Sequence, residues 1–146
     1  MAGSNYVLDK GVPVLSTYNS SATTGVQAFR CVKITTAGLM DIQLASTAGN
    51  IAFVVQENID AAKVATGKAI ADVRFMGITK VRVGVATGVT IGSRVMPNGT
   101  DGSVITATGA TAQVLGIVVG TDPSAGTVAT GDLIDVLLTP GTQFGA

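Results

Sequence analysis

The chain carries one ordered series of short signatures twice. Thr24-Gly25-Val26, Cys31-Val32, Ile51-Ala52-Phe53-Val54-Val55, Ala65-Thr66-Gly67 and Asp72-Val73 make the first series. Thr87-Gly88-Val89, Arg94-Val95, Val114-Leu115-Gly116-Ile117-Val118, Ala129-Thr130-Gly131 and Asp135-Val136 make the second. The offset that carries Gly25 onto Gly88 also carries Val32 onto Val95 and Val73 onto Val136, and it slips by a single position only inside loops. A recurrence on this scale marks a supersecondary unit used twice. It restricts the fold to two similar units packed together.

Each unit reads as short strands punctuated by glycine. In the first, strand signals cover residues 30–35, 39–44 and 51–56, and Ala37-Gly38 marks a turn. Residues 60–66 read as a short helix, with Asp60 as N-cap and Gly67 as its left-handed stop. Residues 69–75 return to strand. From Lys80 onward the chain alternates with period two, so Lys80 and Arg82 share one face and Val81 and Val83 the other. In the second unit, strands are expected at 89–96, 103–106, 114–119 and 133–139, with a hairpin signal at Asn98-Gly99. Asp122-Pro123-Ser124-Ala125-Gly126 replaces the helix, and its glycine favours a loop.

This pattern predicts an all-β fold, a small β-barrel or sandwich built from two related repeats with at most one short helix. Residues 1–23 form an N-terminal arm and residues 24–146 one β domain. Repeat one covers about 24–77, a bridging strand about 78–86 and repeat two about 87–141, with a short tail. The arm holds Tyr6, Val7, Leu8, Val12, Val14, Leu15 and Tyr18. An apolar arm is costly if left in water, so it either completes its own sheet or lies on a neighbour.

Charge is scarce. Only 12% of residues are charged, about half the usual share, while 47% are apolar and the formal net charge is zero. Either hydroxyls and backbone solvate the surface, or much of it is covered in the working assembly. The second reading is favoured because interface centres exclude charge. Zero net charge argues against nucleic-acid binding, which needs Lys and Arg to neutralise phosphates. The charges are unevenly placed. Arg74, Lys80, Arg82 and Arg94 are the sole charges between 74 and 94, whereas Asp101, Asp122, Asp132 and Asp135 are the sole charges from 95 to 146. Complementary contact within the fold or between copies accounts for this.

Catalytic and metal chemistry finds little support. The chain has no His, which removes His-dependent dyads and triads and the usual zinc sites. Cys31 stands alone, so no intrachain disulfide forms, and it reads as a small buried residue. Gly67-Lys68 imitates a phosphate loop, but Ala62 stands where that loop needs Gly and Ala69 where it needs Ser or Thr. No calcium loop of the D-x-D-x-D-G kind occurs. No apolar run approaches the length of a membrane span. The first residues show neither the basic nor the apolar region of a signal peptide, so the two Asn-x-Ser/Thr sequons are expected to carry no sugar. No enzyme activity, cofactor or metal is expected.

Four stretches together resemble the decoration proteins of tailed-phage capsids, also called cement or head-stabilising proteins. They are Asn5-Tyr6-Val7-Leu8-Asp9-Lys10-Gly11 with Val14-Leu15-Ser16, Gly25-Val26-Gln27-Ala28-Phe29-Arg30-Cys31-Val32-Lys33, Val55-Gln56-Glu57-Asn58-Ile59-Asp60 leading to Ala65-Thr66-Gly67-Lys68-Ala69, and Leu115-Gly116-Ile117-Val118 followed by Gly131-Asp132-Leu133-Ile134-Asp135-Val136-Leu137-Leu138. The resemblance implies a virion protein, made in the host cytoplasm, that sits as a homotrimer on the outer capsid surface. It further implies bridging of neighbouring major-capsid subunits. The expected contact residues are Tyr6, Val7, Leu8, Val12, Val14, Leu15 and Tyr18 in the arm, with Lys80, Arg82 and Arg94 for charge-complementary contact. The alternative is a virion-surface binding module, such as a fibre base or a receptor- or glycan-binding domain.

Overall fold

Branched residues alternating with polar ones give the chain its strands, and glycines set where they turn. The computed structural model describes residues 13–14, 25–34, 42–44, 52–65, 71–98, 101–108, 113–121 and 127–139. Among them run ten strands and one helix. The order is β1 (Pro13–Val14), β2 (Cys31–Ile34), β3 (Ile42–Leu44), β4 (Ala52–Val55), α1 (Ala61–Ala65), β5 (Ala71–Arg74), β6 (Gly77–Arg82), β7 (Arg94–Pro97), β8 (Val104–Thr106), β9 (Gly116–Gly120) and β10 (Leu133–Leu138). The fold is all-β with one short helix, as the sequence pattern predicts. The Asp60 carboxylate accepts the Ala62 N–H at 2.8 Å, which is the expected N-cap of α1.

The strands form two five-stranded sheets, ordered β1-β5-β4-β2-β3 and β6-β10-β9-β7-β8. Adding five to each strand number of the first order gives the second, so the sequence repeat is a repeat of topology. In these orders β1 holds the place in the first sheet that β6 holds in the second. Pro13 and Val14 therefore complete the chain's own sheet, pairing antiparallel with Asp72 and Ala71 of β5. The second sheet also curls. Just past β6, Val83 makes a parallel bridge to Val104 of β8, and the Gly84 N–H donates to the Val104 carbonyl at 2.7 Å. The two outer strands of this sheet thus touch at one point, which curls the sheet toward a barrel.

The valines at matched positions line the interior. Val95, Val118 and Val136 of the second half are buried, as are their repeat counterparts in the first, Val32, Val55 and Val73. Val81, Val104 and Ile134 add to the second interior, and each such side chain contributes roughly 1.5–3 kcal/mol by leaving water. Cys31 and Val54 join the same buried cluster, so the halves share one core. The backbone ties them further, with the Cys31 N–H donating to the Gly102 carbonyl and the Arg82 N–H to the Phe29 carbonyl.

One predicted strand is shorter than expected. Residues 89–93 form turns, and β7 begins only at Arg94. Gly88 and Gly92 both take positive φ, at 77° and 87°. Across the second of these glycines the Ser93 hydroxyl donates to the Thr90 carbonyl and accepts the Thr90 N–H, a local bond set that competes with pairing. Branched residues alone cannot hold a strand against that.

Candidate interaction surface

Period two in β6 turns Ile78, Lys80 and Arg82 outward while Thr79 and Val81 are buried. Strand register then builds the outward face of the second sheet. Ile78 pairs with Leu137 of β10, Leu137 with Ile117 of β9, and Ile117 with Arg94 of β7. Cross-strand neighbours lie within contact reach of one another, so this is one continuous row. Its apolar members are Ile78, 54% exposed, Leu137, 38% exposed, and the half-buried Ile117, with Val119 also exposed beside them.

The same row exists in the first half. Arg74 pairs with Val54, and Val54 with Cys31, and these three are the repeat counterparts of Leu137, Ile117 and Arg94. There the row is covered. Cys31 and Val54 are fully buried, and Arg74 Nη1 donates to the Ile78 carbonyl of β6. One lattice of positions thus appears twice, with Cys31 and Val54 buried in the first half where Arg94 is exposed and Ile117 half-buried in the second.

Charge along this face is balanced locally. Lys80 Nζ meets the Asp135 carboxylate at 3.1 Å, its register partner, and both are well exposed. Arg30 Nη1 meets Asp101 at 3.0 Å in a second pair. Part of the uneven charge distribution is therefore resolved inside the fold. Such exposed pairs add little stability, with a typical worth of about 0–1 kcal/mol. Burial opposes ionisation of Asp101, but hydrogen bonds from the Ser103 hydroxyl and N–H and the nearby Arg30 guanidinium outweigh it and hold the carboxyl below its ordinary 3.8. Full burial pushes the Cys31 thiol far up, against the pull of Arg30, so it stays a protonated core residue.

Arg82 stands apart from these pairs. It lines an open cleft of about 600 Å³ where the halves meet, between residues 26–29 and 58–59 of the first and Arg82 and Leu133 of the second. Phe29 in its wall has φ 64°, the one positive value outside glycine among the described residues. Its N–H donates to Val55 and its carbonyl accepts from Arg82, so bonds to both halves hold it in a region that costs about 1–2 kcal/mol.

Of the expected contact residues, Lys80, Arg82 and Arg94 all lie on the outward side of the second sheet, Arg94 ending the apolar row. Val14 is in β1. Tyr6, Val7, Leu8, Val12, Leu15 and Tyr18 lie outside the described residues, as does the loop expected at 122–126. Sequence reasoning missed Ile78, Ile117, Val119 and Leu137. The alternation that placed Lys80 and Arg82 also puts Ile78 on their face, and the unbroken run Val136-Leu137-Leu138 is apolar on both sides of β10. Among the described residues, no three His, Cys, Asp or Glu side chains gather as a metal cluster, and no helix is long and apolar enough to cross a membrane.

No protein-family model and no curated protein matches this sequence. Among solved structures, the chain is similar to the N base of the head fiber gp8.5 of bacteriophage phi29. The TM-score is 0.58 at 16% identity, covering 80% of this chain and 87% of that one. At such identity the likeness is one of fold.

Proposed function

We propose that this chain is a structural protein of a phage virion. It binds the outer surface of an assembled capsid, bridges neighbouring major-capsid subunits as a homotrimer, and turns over no substrate. The row Ile78–Leu137–Ile117, with Ile78 and Leu137 exposed where the matched Val54 of the first half is buried, carries the contact reading. A contiguous exposed apolar patch of this kind marks a protein contact. The fold likeness to a phage head fiber base supports the placement on a phage head. A clip that buries surface on two shell subunits makes their separation costlier, and linked copies multiply the hold by effective concentration.

The same likeness favours a second reading, in which the chain is the base of a fibre and presents a further domain or a receptor-binding surface. Both readings share attachment to the head. They differ in what attachment does: a clamp raises the temperature at which shells release DNA, and a fibre base leaves it unchanged.

The test is co-sedimentation with purified phage heads. The wild-type chain pellets with intact heads, and Leu137→Glu abolishes pelleting while its circular dichroism spectrum stays unchanged. Undiminished pelleting of L137E would remove this face from the contact, and a wild-type chain that stays in the supernatant would sink the attachment reading itself.

A further inference from the structure

We propose that the cleft between the two halves is a binding site for a carboxylate carried on an apolar peptide segment, with Arg82 as the group that receives it. The Arg82 side chain is half-buried, Nη1 donates to the Gly131 carbonyl at 2.8 Å, and Nε is buried with no hydrogen-bond partner. No carboxylate pairs with it among the described residues, where Lys80 and Arg30 each have one. A partly desolvated guanidinium with donor capacity left over, beside an open cleft, is complementary to a carboxylate.

The walls define the rest of the ligand. Val26, Ile59 and Leu133 are branched and apolar, and Phe29 joins them. Beside them the Asn58 side-chain oxygen accepts the Ala28 N–H at 2.8 Å and the Gln27 side-chain oxygen accepts from Arg30, so what these amides have left to offer is N–H donors, which suit the acceptors of a carboxylate. A sugar presents hydroxyl donors as well as acceptors, and with both side-chain oxygens taken its donors would go unmatched here. An acidic residue flanked by aliphatic ones suits both the walls and the charge. The Phe29 backbone, held with positive φ by bonds to both halves, keeps the cleft open as part of the fold.

This deepens the contact-surface reading, because Arg82 and Leu133 are register partners on the same outward face as the apolar row. A partner lying along that row reaches the cleft. Peptides test the cleft without any shell, so failure here would leave head attachment standing.

The probes are acetyl-Leu-Glu-Leu-amide, its Leu-Gln-Leu twin, acetyl-Leu-Leu-Leu with a free C-terminus, and methyl glucuronide. Each is titrated into the full-length ¹⁵N-labelled chain and followed by amide shifts. Saturable shifts at residues 26–29, 58–59 and 133 are expected with the glutamate peptide or the free-carboxylate peptide, and the tighter of the two tells a side-chain from a terminal carboxylate. The glutamine twin binds at least about tenfold more weakly. Arg82→Gln removes the preference for glutamate over glutamine, and Arg82→Lys keeps part of it. A glutamine peptide that binds the wild-type chain as tightly as the better of the two carboxylate peptides would overturn the proposal without recourse to any variant. So would an absence of saturable shifts with every peptide, or methyl glucuronide binding as tightly as the best of them.

Discussion

At the scale of single residues, Asp101 shows how a loop is held by charge. Its carboxylate collects two bonds from Ser103 and the Arg30 guanidinium, and its folded-state ionisation lies below 3.8. A depressed folded value stabilises the native state above the unfolded value and loses that contribution as pH falls through the folded one. Wild type should therefore lose stability relative to Asp101→Asn on acidification from about pH 5 to about pH 3, read by urea melts at each pH. A constant gap would mean that the carboxylate's charge is idle. Arg30 and Asp101 are 71 positions apart, so their pairing was invisible in the sequence beyond the excess of acids in the second half. Cys31 was legible as a buried residue. Its full burial depends on the other half, which no local pattern around Arg30 and Lys33 reports.

Strands and helices were the most legible level. Alternation and glycine spacing located nine of the described strands to within a few residues, and Asp60 announced α1. The two-residue β1 was harder to see, because Pro13 and Val14 acquire a strand only by pairing with β5. The turns at 89–93 defeated the β-propensity of Val89 and Ile91 because two glycines with positive φ enclose them. The two sides of β10 invite a direct comparison. Ile134 is 1% exposed and Leu137 38%. Ile134→Ala should cost about 3 kcal/mol by leaving a cavity, whereas Leu137→Ala should cost under about 1 kcal/mol in the isolated chain. Urea denaturation decides it, and equal costs would mean that the row is already covered in solution.

For the whole molecule, the duplication was readable from sequence, and its most useful consequence was not. Whether a face is bare or covered depends on how the halves pack, and matched positions such as Val54 and Ile117 meet different fates. The arm gives a further test at this scale. Deleting residues 2–18 removes Pro13 and Val14 from the edge of the first sheet. The deletion should lower the melting temperature and, on the bridging reading, reduce both oligomer mass by light scattering and retention on purified heads. A truncated chain unchanged in mass and retention would exclude the arm from assembly. The closure of the second sheet at Val83 and Val104 bears on the manner of association. Where Val83 and Val104 bridge, the backbone of the two outer strands is already paired, so a neighbour adding a strand at that point would first have to break the bridge. A partner that leaves the bridge in place must settle broadside, through side chains, and such contacts come to an end once the surface is filled rather than propagating into fibrils.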